Sequence, residues 1–524
     1  MKLFPDLSQL ETLVLKGNNV VPICHEILAD LETPVSCFLK VKEQFPQNGP
    51  FFLLESVEGG EKVGRYSFIG LNPAGVLRIN PETSQEREKL EFYSEWGISE
   101  KYCDLNENPY ECLESVISNF KSPSNLFPHT SSGLVGALAY DSVRFIEPID
   151  LIKVSREFPE MAFVLIGDLI VFDNLTKTIR LITNIYTDNQ TSNTDIKELY
   201  DEAVKRLEKL KTIFESEKSL KTNRIIPTDE LTKQEKVSHW KSSIEKKEFE
   251  SIVEIAKEHI RAGDIFQIVL SQQLTIETEK KIDPFHLYRL LRSLNPSPYL
   301  FFLDFLDFQI IGSSPEVMVH CNSVDSENNR IASLRPIAGT YRRGRSHKED
   351  EELAKSLKND PKELAEHLML IDLARNDLGR VAIPGTVEVA DLMVVEKYSH
   401  VLHLVSEVVC ELKNDISPIQ LLKATFPAGT LSGAPKVKAM QIISELESVS
   451  RGFYGGCVGA IGFDGSINTA MTIRSLFVTP KKIQLQVGAG VVYDSDPEKE
   501  YQETLNKGAA LMKVIEQSMQ LNCN

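Results

Sequence analysis

The chain has 524 residues, of which 42% are hydrophobic and 25% are charged, and its formal net charge at pH 7 is -17. This composition excludes the disordered and collagen-like classes and suffices for two or three domains with buried cores. The 75 acidic residues outnumber the 58 basic ones and would repel a phosphate backbone, so we expect no nucleic-acid partner.

Targeting and redox features favour a cytoplasmic protein. The first residues show no basic segment followed by an apolar run, and no stretch approaches the roughly 18 apolar residues of a membrane span. The eight cysteines form no C-x-x-C pair, which argues against a zinc ribbon and a disulfide framework. We therefore expect a protein of the reducing cytoplasm that does not associate with membranes.

The first part of the chain is rich in predicted strands and ends in a charged segment. Residues 51–186 contain short apolar runs separated by turn signals, and residues 196–220 have the pattern of an amphipathic helix followed by polar residues. This predicts an N-terminal region over 1–215, a linker over 216–244 and a second domain over 245–524. A helix on the surface of one continuous domain fits the same pattern.

Three patterns in the second half predict its elements. Residues 249–274 predict a helix, a Gly-Asp turn and a strand, and residues 457–492 predict an antiparallel meander with two glycines in its last strand. The alternation over 396–409 predicts a strand with His400 and His403 on opposite faces, which argues against a two-histidine metal site.

A helix is predicted to begin at Asp360 and Pro361, with Glu363 completing the start signal. Its apolar residues spread nearly all round the axis, so we expect this helix to be buried. Glu366 falls among its leucines, and a buried carboxylate needs a cation. From the residues alone, that cation is either a side chain such as Arg375 or a bound metal.

Two further segments have both a structural and a functional interpretation. In the helix predicted to begin at Asp496, Glu500, Glu503 and Lys507 share one face, which is also the pattern of an exposed Glu–Lys pair. The segment FPAGTLSGAPKVKAM at 426–440 predicts a loop that leads into a helix, where backbone N–H groups can receive an anion. Tight turns alone would also explain its glycines.

Six segments occur in an order that resembles the chorismate-utilising enzymes. They are RPIAGTYRRG at 335–344, ELAEHLMLIDLARNDLGRVA at 363–382, the loop at 426–440, GAIGFDG at 459–465, TIRS at 472–475 and VGAGVVYDSDPEKEYQETLNKG at 487–508. The resemblance covers 245–515 and extends to FFLLESVEGGEKVGRYSFIG at 51–70. It is greatest to the members that make anthranilate, and it implies an α+β fold with mainly antiparallel sheets packed as a sandwich and helices outside.

The resemblance also implies roles for individual residues. Glu366 and Glu503 would bind Mg²⁺, which suits one or two carboxylates together with substrate oxygens. Glu316 would protonate the departing C4 hydroxyl of chorismate, and His403 would assist proton removal at C2. Gln267 and Thr430 would complete the catalytic group. Substrate contacts would come from Gly339, Thr340, Tyr454, Arg474, Gly488, Ala489, Gly490 and Lys507, and an allosteric tryptophan site from Ser56, Pro298, Tyr299 and Leu300. Arg342 and Arg343 are interpreted as surface charges.

Two positions distinguish among the relatives. Similar enzymes that use water carry a lysine base where this chain has Gln267, and an amide cannot deprotonate water. Aminodeoxychorismate synthases often carry a lysine where this chain has Ala338. The pattern therefore implies addition of ammonia at C2, formation of 2-amino-2-deoxyisochorismate and elimination of pyruvate to give anthranilate.

The implied pathway and partners follow from that product. Anthranilate formation is the first step of tryptophan biosynthesis, so tryptophan is the expected feedback inhibitor. A separate glutamine amidotransferase subunit is the expected source of ammonia. Aminodeoxychorismate synthase is the alternative within the family, and a catalytically silent carboxylate-binding regulator is the alternative from another class.

Overall fold

The computed structural model describes residues 2–56, 64–79, 88–92, 108–127, 129–151, 157–188, 192–215, 240–278, 282–324, 329–398 and 401–521. Most of the predicted linker 216–244 lies outside these ranges, and so does His400.

The strands are numbered in chain order. They are β1 Leu3–Phe4, β2 Val20–Leu28, β3 Phe51–Glu55, β4 Tyr66–Leu71, β5 Gly75–Ile79, β6 Glu88–Phe92, β7 Gly133–Leu138, β8 Met161–Leu165, β9 Asp168–Asp173, β10 Thr178–Tyr186, β11 Lys241–Ser242, β12 Gln267–Glu277, β13 Tyr299–Asp304, β14 Gln309–Ser314, β15 Val317–Cys321, β16 Ile331–Leu334, β17 Ile337–Arg342, β18 Glu388–Lys397, β19 Val401–Glu411, β20 Gly433–Ala434, β21 Cys457–Gly462, β22 Ile467–Met471, β23 Ser475–Thr479 and β24 Lys482–Val491.

The helices are numbered in the same way. They are α1 Leu7–Leu15, α2 Pro34–Gln44, α3 Pro109–Asn119, α4 Asn193–Glu215, α5 Lys246–Ala262, α6 Pro284–Leu294, α7 His347–Lys358, α8 Pro361–Gly379, α9 Pro418–Thr425, α10 Lys436–Leu446 and α11 Pro497–Leu521. A 3₁₀ turn at Gly429–Leu431 lies in the loop before α10. The predicted start of α8 is confirmed, because the Asp360 side chain accepts hydrogen bonds from the N–H groups of Lys362 and Glu363.

Two antiparallel sheets form the framework of the described residues. The first has the strand order β1-β2-β10-β9-β4-β3-β13-β14-β23-β24-β12-β11, with β20 also paired to β12. The second has the order β17-β19-β16-β15-β22-β21-β7-β8-β5-β6, with β18 also paired to β19. Both sheets contain strands from before and after the predicted linker, so the two predicted regions are interleaved rather than stacked as separate layers.

Alternating side chains of the first sheet face two different cores. In β9, Leu169 and Val171 lie in the core shared with the second sheet. Ile170 and Phe172 point the other way, into a core that also contains side chains of α1, α2, α4, α6 and α11. Because strand side chains alternate between faces, this arrangement is a sandwich with helices outside, and the predicted α+β fold is confirmed.

Two predictions about local structure are wrong. Helix α8 is not buried all round: Leu368 is 52% exposed, because the helix packs on the sheet with one side only. The segment 457–492 is not one meander, since β21 and β22 pair in the second sheet and β23 and β24 pair in the first. Its hairpins are antiparallel as predicted, but the chain crosses between sheets at 472–474. None of the described helices is long and apolar enough to cross a membrane.

Gly136 in β7 is a site where the fold requires the absence of a side chain. A Cβ at this position would lie 2.1 Å from the Ala162 carbonyl oxygen of the neighbouring strand. We expect Gly136→Ala to lower the free energy of unfolding by about 1–3 kcal/mol, because backbone atoms must move apart. The control is Gly379→Ala at the end of α8, where a Cβ has no neighbour within 4 Å and should change stability by no more than about 1 kcal/mol. Urea unfolding of both variants measures this, and a wild-type midpoint for Gly136→Ala would contradict it.

Candidate functional site

The predicted site residues come from both sheets where their ends approach one another. Strands β12 and β24 supply Gln267 and the segment Gly488–Gly490, while β17 and β19 supply Gly339 and His403. Helices α8 and α11 add carboxylates, and the 3₁₀ turn adds Thr430. The fold therefore brings together residues that are up to 240 positions apart in the chain.

The pairing of β12 with β24 places glycines against polar side chains. Gly490 is opposite Val269, and a Cβ at Gly490 would lie 3.0 Å from Gln267 Nε2. A Cβ at Gly488 would lie 2.7 Å from the Tyr454 hydroxyl. The backbone can approach these groups closely only because side chains are absent here. Ala489, between them, is fully buried and is opposite Leu270.

Glu316 is a buried carboxyl group with a displaced pKa. Its side chain is 8% exposed, and its Oε1 atom accepts a hydrogen bond from Thr430 Oγ1 at 3.1 Å. Burial raises its pKa to about 7, although the Thr430 hydroxyl and the charges of Arg474 and Lys507 act in the opposite direction. Near neutral pH this group can therefore both hold and release a proton, as a general acid must.

His403 is held by the bulge that contains Gly339. Between Ala338 and Thr340 the pairing of β17 with β19 shifts, and Gly339 there has φ +64°. The Gly339 carbonyl is 3.0 Å from His403 Nδ1. A carbonyl only accepts, so this contact places the proton on Nδ1 and a lone pair on Nε2. Burial lowers the pKa of His403, which keeps the imidazole neutral and able to act as a base.

Arg474 lies in the segment where the chain crosses between the sheets. It adopts φ +49°, a conformation that non-glycine residues seldom adopt. Its carbonyl accepts a hydrogen bond from the Ser313 N–H group of β14 at 3.2 Å. Burial lowers the pKa of its guanidinium, and the Glu316 charge opposes this effect. Arg474 is thus a partly buried cation whose charge acts on the candidate acid.

The two carboxylates predicted as metal ligands, Glu366 and Glu503, each contact one polar side chain. Glu366 accepts a hydrogen bond from Gln267 Nε2 at 3.3 Å, and Arg375 pairs with Asp372 instead, so the alternative salt bridge between Glu366 and Arg375 is not formed. Glu503 pairs with Lys507 Nζ at 2.8 Å. The same ammonium group donates to the Gly488 carbonyl at 3.1 Å.

A second glutamate lies one helical turn before each predicted ligand. Glu363 precedes Glu366 in α8, and Glu500 precedes Glu503 in α11. Burial raises the pKa of Glu363, and the charges of Glu366 and Glu503 raise it further. Burial likewise raises the pKa of Glu500, with a contribution from Glu503. The sequence interpretation gave Glu363 only a capping role and Glu500 no role of its own. The signal for both was the repeated Glu-x-x-Glu spacing, which places two carboxylates on one helix face.

These oxygen donors fit a divalent cation such as Mg²⁺. The charges of Glu366 and Glu503 raise the pKa of Glu363, and a cation beside these carboxylates would stabilise their charged forms. Within the described ranges, no three His, Cys, Asp or Glu side chains converge on one point. Mg²⁺ commonly takes one or two protein carboxylates and completes its coordination with water and substrate oxygens.

The residues predicted for a tryptophan site lie on neighbouring strand ends. Leu300 of β13 is opposite Glu55 of β3, so Ser56 and Tyr299 lie beside this pair along their strands. Glu55 is buried and accepts hydrogen bonds from the Tyr288 hydroxyl at 2.6 Å and from Arg292 Nε at 2.9 Å. Pro298 precedes the strand and is buried. The four predicted residues therefore form one group at the junction of the two regions.

Comparison with known proteins agrees with this geometry. Residues 49–513 match the family model described as chorismate binding enzyme. The chain belongs to the chorismate-binding enzyme family. The resemblance noted in the sequence is therefore confirmed, and the family match includes both Glu-x-x-Glu pairs and the Glu316–Thr430 contact.

Two family members are similar along nearly their whole length. Anthranilate synthase component 1 of Synechocystis is 43% identical over 98% of this chain and 99% of its own. The protein of the same name from Aquifex aeolicus is 44% identical over 98% of each chain.

Solved structures support the fold. Anthranilate synthase component I of Streptococcus pneumoniae superposes with a TM-score of 0.69 at 31% identity, covering 93% of this chain and 99% of its own. The menaquinone-specific isochorismate synthase of Escherichia coli superposes with a TM-score of 0.66 at 17% identity, covering 97% of this chain and 99% of its own. The second similarity concerns the fold alone.

Proposed function

We propose that this protein converts chorismate and ammonia into anthranilate, as the chorismate-binding component of an anthranilate synthase. The observation that carries the proposal is Glu316, a buried acid with a pKa of about 7 that contacts Thr430 and lies in the field of two cations. The relatives that share the name anthranilate synthase component 1 support it over the full length of the chain.

The site has the donors that a dianionic substrate requires. Arg474 offers a planar guanidinium for a carboxylate, and Lys507 lies against the Gly488 carbonyl at the edge of the glycine segment. Gly488 and Gly490 allow N–H groups to approach the second carboxylate. Gly339 and Thr340 belong to β17 of the second sheet, and the Tyr454 hydroxyl lies 2.7 Å from where a Cβ at Gly488 would be. Local donors thus bind an anion in a chain whose net charge is -17.

The acid and the base serve different steps. Glu316 donates its proton to the C4 hydroxyl of chorismate as ammonia forms the bond to C2 and the hydroxyl leaves as water. The ammonium group formed at C2 then returns one proton to the Glu316 carboxylate. The product of that step is 2-amino-2-deoxyisochorismate. His403 then takes the C2 proton on Nε2, while the enolpyruvyl group leaves and is released as pyruvate, which makes the ring aromatic.

Glu366 and Glu503 would hold Mg²⁺, with Glu363 and Glu500 one helical turn from them. A bound Mg²⁺ ion would supply positive charge for the ring carboxylate of chorismate and fix its position. Gln267 Nε2 donates to Glu366 and so orients one ligand.

Two residues favour ammonia at C2 over the reactions of relatives. Gln267 is buried at the site but carries an amide, which cannot activate water. Ala338 is buried beside the Gly339 bulge and offers no amine that could attack the ring. Aminodeoxychorismate synthase remains the alternative that product analysis distinguishes.

Regulation and ammonia supply complete the proposal. Tryptophan would bind at Ser56, Pro298, Tyr299 and Leu300 and inhibit the enzyme. Support comes from the short path to the active site: Leu300 is opposite Ser313 in the sheet, and the Ser313 N–H group bonds to the Arg474 carbonyl. Ammonia would come from a glutamine amidotransferase partner, as the word component in the names of the relatives suggests.

Product analysis tests the activity itself. We expect the purified chain with chorismate, ammonium and Mg²⁺ to release anthranilate and pyruvate in equal amounts, measured by fluorescence and mass spectrometry. Chelation of Mg²⁺ should abolish turnover, and Glu503→Gln should raise the Mg²⁺ concentration needed for half-maximal rate. Aminodeoxychorismate as the product would replace the proposal with its alternative. Chorismate binding without turnover would favour a carboxylate-binding protein.

The pH dependence tests Glu316. A general acid works only while protonated, so kcat/KM for chorismate at a fixed concentration of free NH₃ should fall tenfold per unit above the pKa of about 7. Glu316→Gln should lower turnover by about 10²–10⁴-fold and abolish this fall of kcat/KM at high pH, the descending limb of the pH profile. Chorismate affinity should stay near the wild-type value, because the amide keeps the shape of the side chain. Unchanged turnover in Glu316→Gln would exclude this residue as the acid.

Substitution at Ser56 tests the tryptophan site. We expect Ser56→Phe to relieve tryptophan inhibition while retaining activity, because the larger side chain fills space beside Tyr299 without touching Glu316. Inhibition curves for the wild type and the variant give the comparison. Ser8→Phe, at an exposed position in α1, controls for an added aromatic group. Full inhibition of Ser56→Phe would show that tryptophan binds elsewhere.

A further inference from the structure

A buried ion pair lies directly behind the candidate active site. Arg451 is 3% exposed and Glu447 is 4% exposed, and they lie in the segment that follows α10. Arg451 donates to both carboxylate oxygens of Glu447, from Nε at 2.9 Å and from Nη2 at 2.6 Å. Burial alone would lower the pKa of Arg451, but the charge and hydrogen bonds of Glu447, together with Tyr140 and Tyr454, raise it. Arg451 is therefore charged at neutral pH.

The guanidinium also binds two backbone carbonyls that belong to different walls of the site. Its Nη1 atom donates to the Leu431 carbonyl at 2.6 Å, and Nη2 donates to the Val269 carbonyl at 2.7 Å. Leu431 ends the 3₁₀ turn and follows Thr430, the residue that bonds to Glu316. Val269 is opposite Gly490 in the sheet.

Glu447 attaches the same strand at a second point. Its Oε1 atom accepts hydrogen bonds from both the N–H group and the hydroxyl of Ser271, each at 2.8 Å. Ser271 is opposite Gly488 in the sheet. The Arg451 carbonyl accepts from the Tyr454 N–H group at 3.0 Å, and the guanidinium carbon lies 5.8 Å from the centre of the Tyr454 ring. The Arg451–Glu447 ion pair thus contacts the 3₁₀ turn that contains Thr430, the part of β12 that pairs with Gly488 and Gly490, and Tyr454.

We propose that Arg451 is a positioning residue for the reaction and that Glu447 holds it in place. It fixes the Thr430 turn relative to β12, and through Thr430 it sets the position and acidity of Glu316. Only a planar group with donors on three nitrogens can bond to the carboxylate and to two carbonyls that face different directions. The inference rests on the proposed function, since it assigns a role within that reaction.

The test compares Arg451→Lys with Thr430→Val in the pH dependence of kcat/KM. Thr430 holds the pKa of Glu316 down, so Thr430→Val should move the descending limb to higher pH. Arg451→Lys releases the Leu431 carbonyl and should move the limb in the same direction. It should also lower kcat by about 10–100-fold, because small misplacements of reacting groups have effects of this size. The double variant should show the limb of Thr430→Val with no further shift.

Two variants separate positioning from stability. Arg451→Met with Glu447→Met removes both charges together, which avoids leaving one buried charge unpaired. This double variant should unfold at a lower midpoint than the wild type, because the Leu431 and Val269 carbonyls and the Ser271 N–H group lose their partners. While folded, it should still show the displaced limb. Arg65→Lys is the control: Arg65 pairs with the buried Asp173 in β9, at the far side of the first sheet. It should keep the wild-type rate and limb.

Each result has a distinct meaning. A folded Arg451→Lys enzyme with wild-type kcat and limb would overturn the proposal, and so would limb shifts that add in the double variant with Thr430→Val. If Arg451→Lys does not fold, the double Met variant gives the same comparison. Absence of anthranilate with the wild-type chain would instead refute the proposed function, so the two failures are distinguishable.

Discussion

Burial of charge where the two sheets meet is the constraint that the rest of the site satisfies. Glu316 accommodates burial by binding a proton near neutral pH, and its pKa is raised to about 7. Glu447 and Arg451 accommodate it by pairing with each other and with backbone groups. Glu363, Glu366 and Glu500 are partly buried and Glu503 is exposed, and burial together with the charges of Glu366 and Glu503 raises the pKa of Glu363. Glu316 is thus available as an acid, the Glu447–Arg451 pair holds the backbone around it, and the carboxylates of α8 and α11 are oxygen donors for a cation.

Strand pairing determines where these charges lie. The register of β12 against β24 places Gly488 opposite Ser271 and Gly490 opposite Val269. Gln267 and Ser271 therefore share one face of β12, where Gln267 contacts Glu366 of the site and Ser271 contacts Glu447 of the buried ion pair. A shift of one residue would turn Gln267 away from the site. The glycines matter for the same reason, because any side chain at Gly488 would collide with the Tyr454 hydroxyl.

The sequence predicts where the helices and strands begin better than it predicts what each of them packs against. Caps and Asp-Pro starts are local, so the helices that begin after Asp360 and Asp496 are predicted correctly. The exposed side of α8 is not predictable from its apolar residues, since exposure depends on which face meets the sheet. The crossing between β22 and β23 is missed because two antiparallel hairpins have the same local pattern whether they share a sheet or not.

The candidate site was predictable only in part, for a related reason. A resemblance identifies residues by motif, and in the structure the charge of Arg474 acts on both Glu316 and His403. Glu363 and Glu500 were overlooked because a capping signal and a surface pair already explained their spacing. Arg342 and Arg343 are outside the site as interpreted, although Arg343 pairs with the buried Asp350 and so is more than a free surface charge. The role of Arg451 depends on two carbonyls, Leu431 and Val269, which no side-chain pattern can reveal.

Arg474 connects the proposed tryptophan site in the N-terminal region with the proposed acid Glu316. Glu55, Leu300 and Ser313 lie side by side on three adjacent strands, and the next hydrogen bond ends on the Arg474 carbonyl. Arg474 has φ +49°, a strained conformation that its surroundings must maintain. Its charge also lowers the pKa of Glu316. A ligand that moves β13 by a fraction of an ångström would therefore disturb the Arg474 guanidinium and the Glu316 carboxyl group together. Because the path consists of backbone hydrogen bonds within one sheet, inhibition at the proposed tryptophan site requires no movement of whole domains.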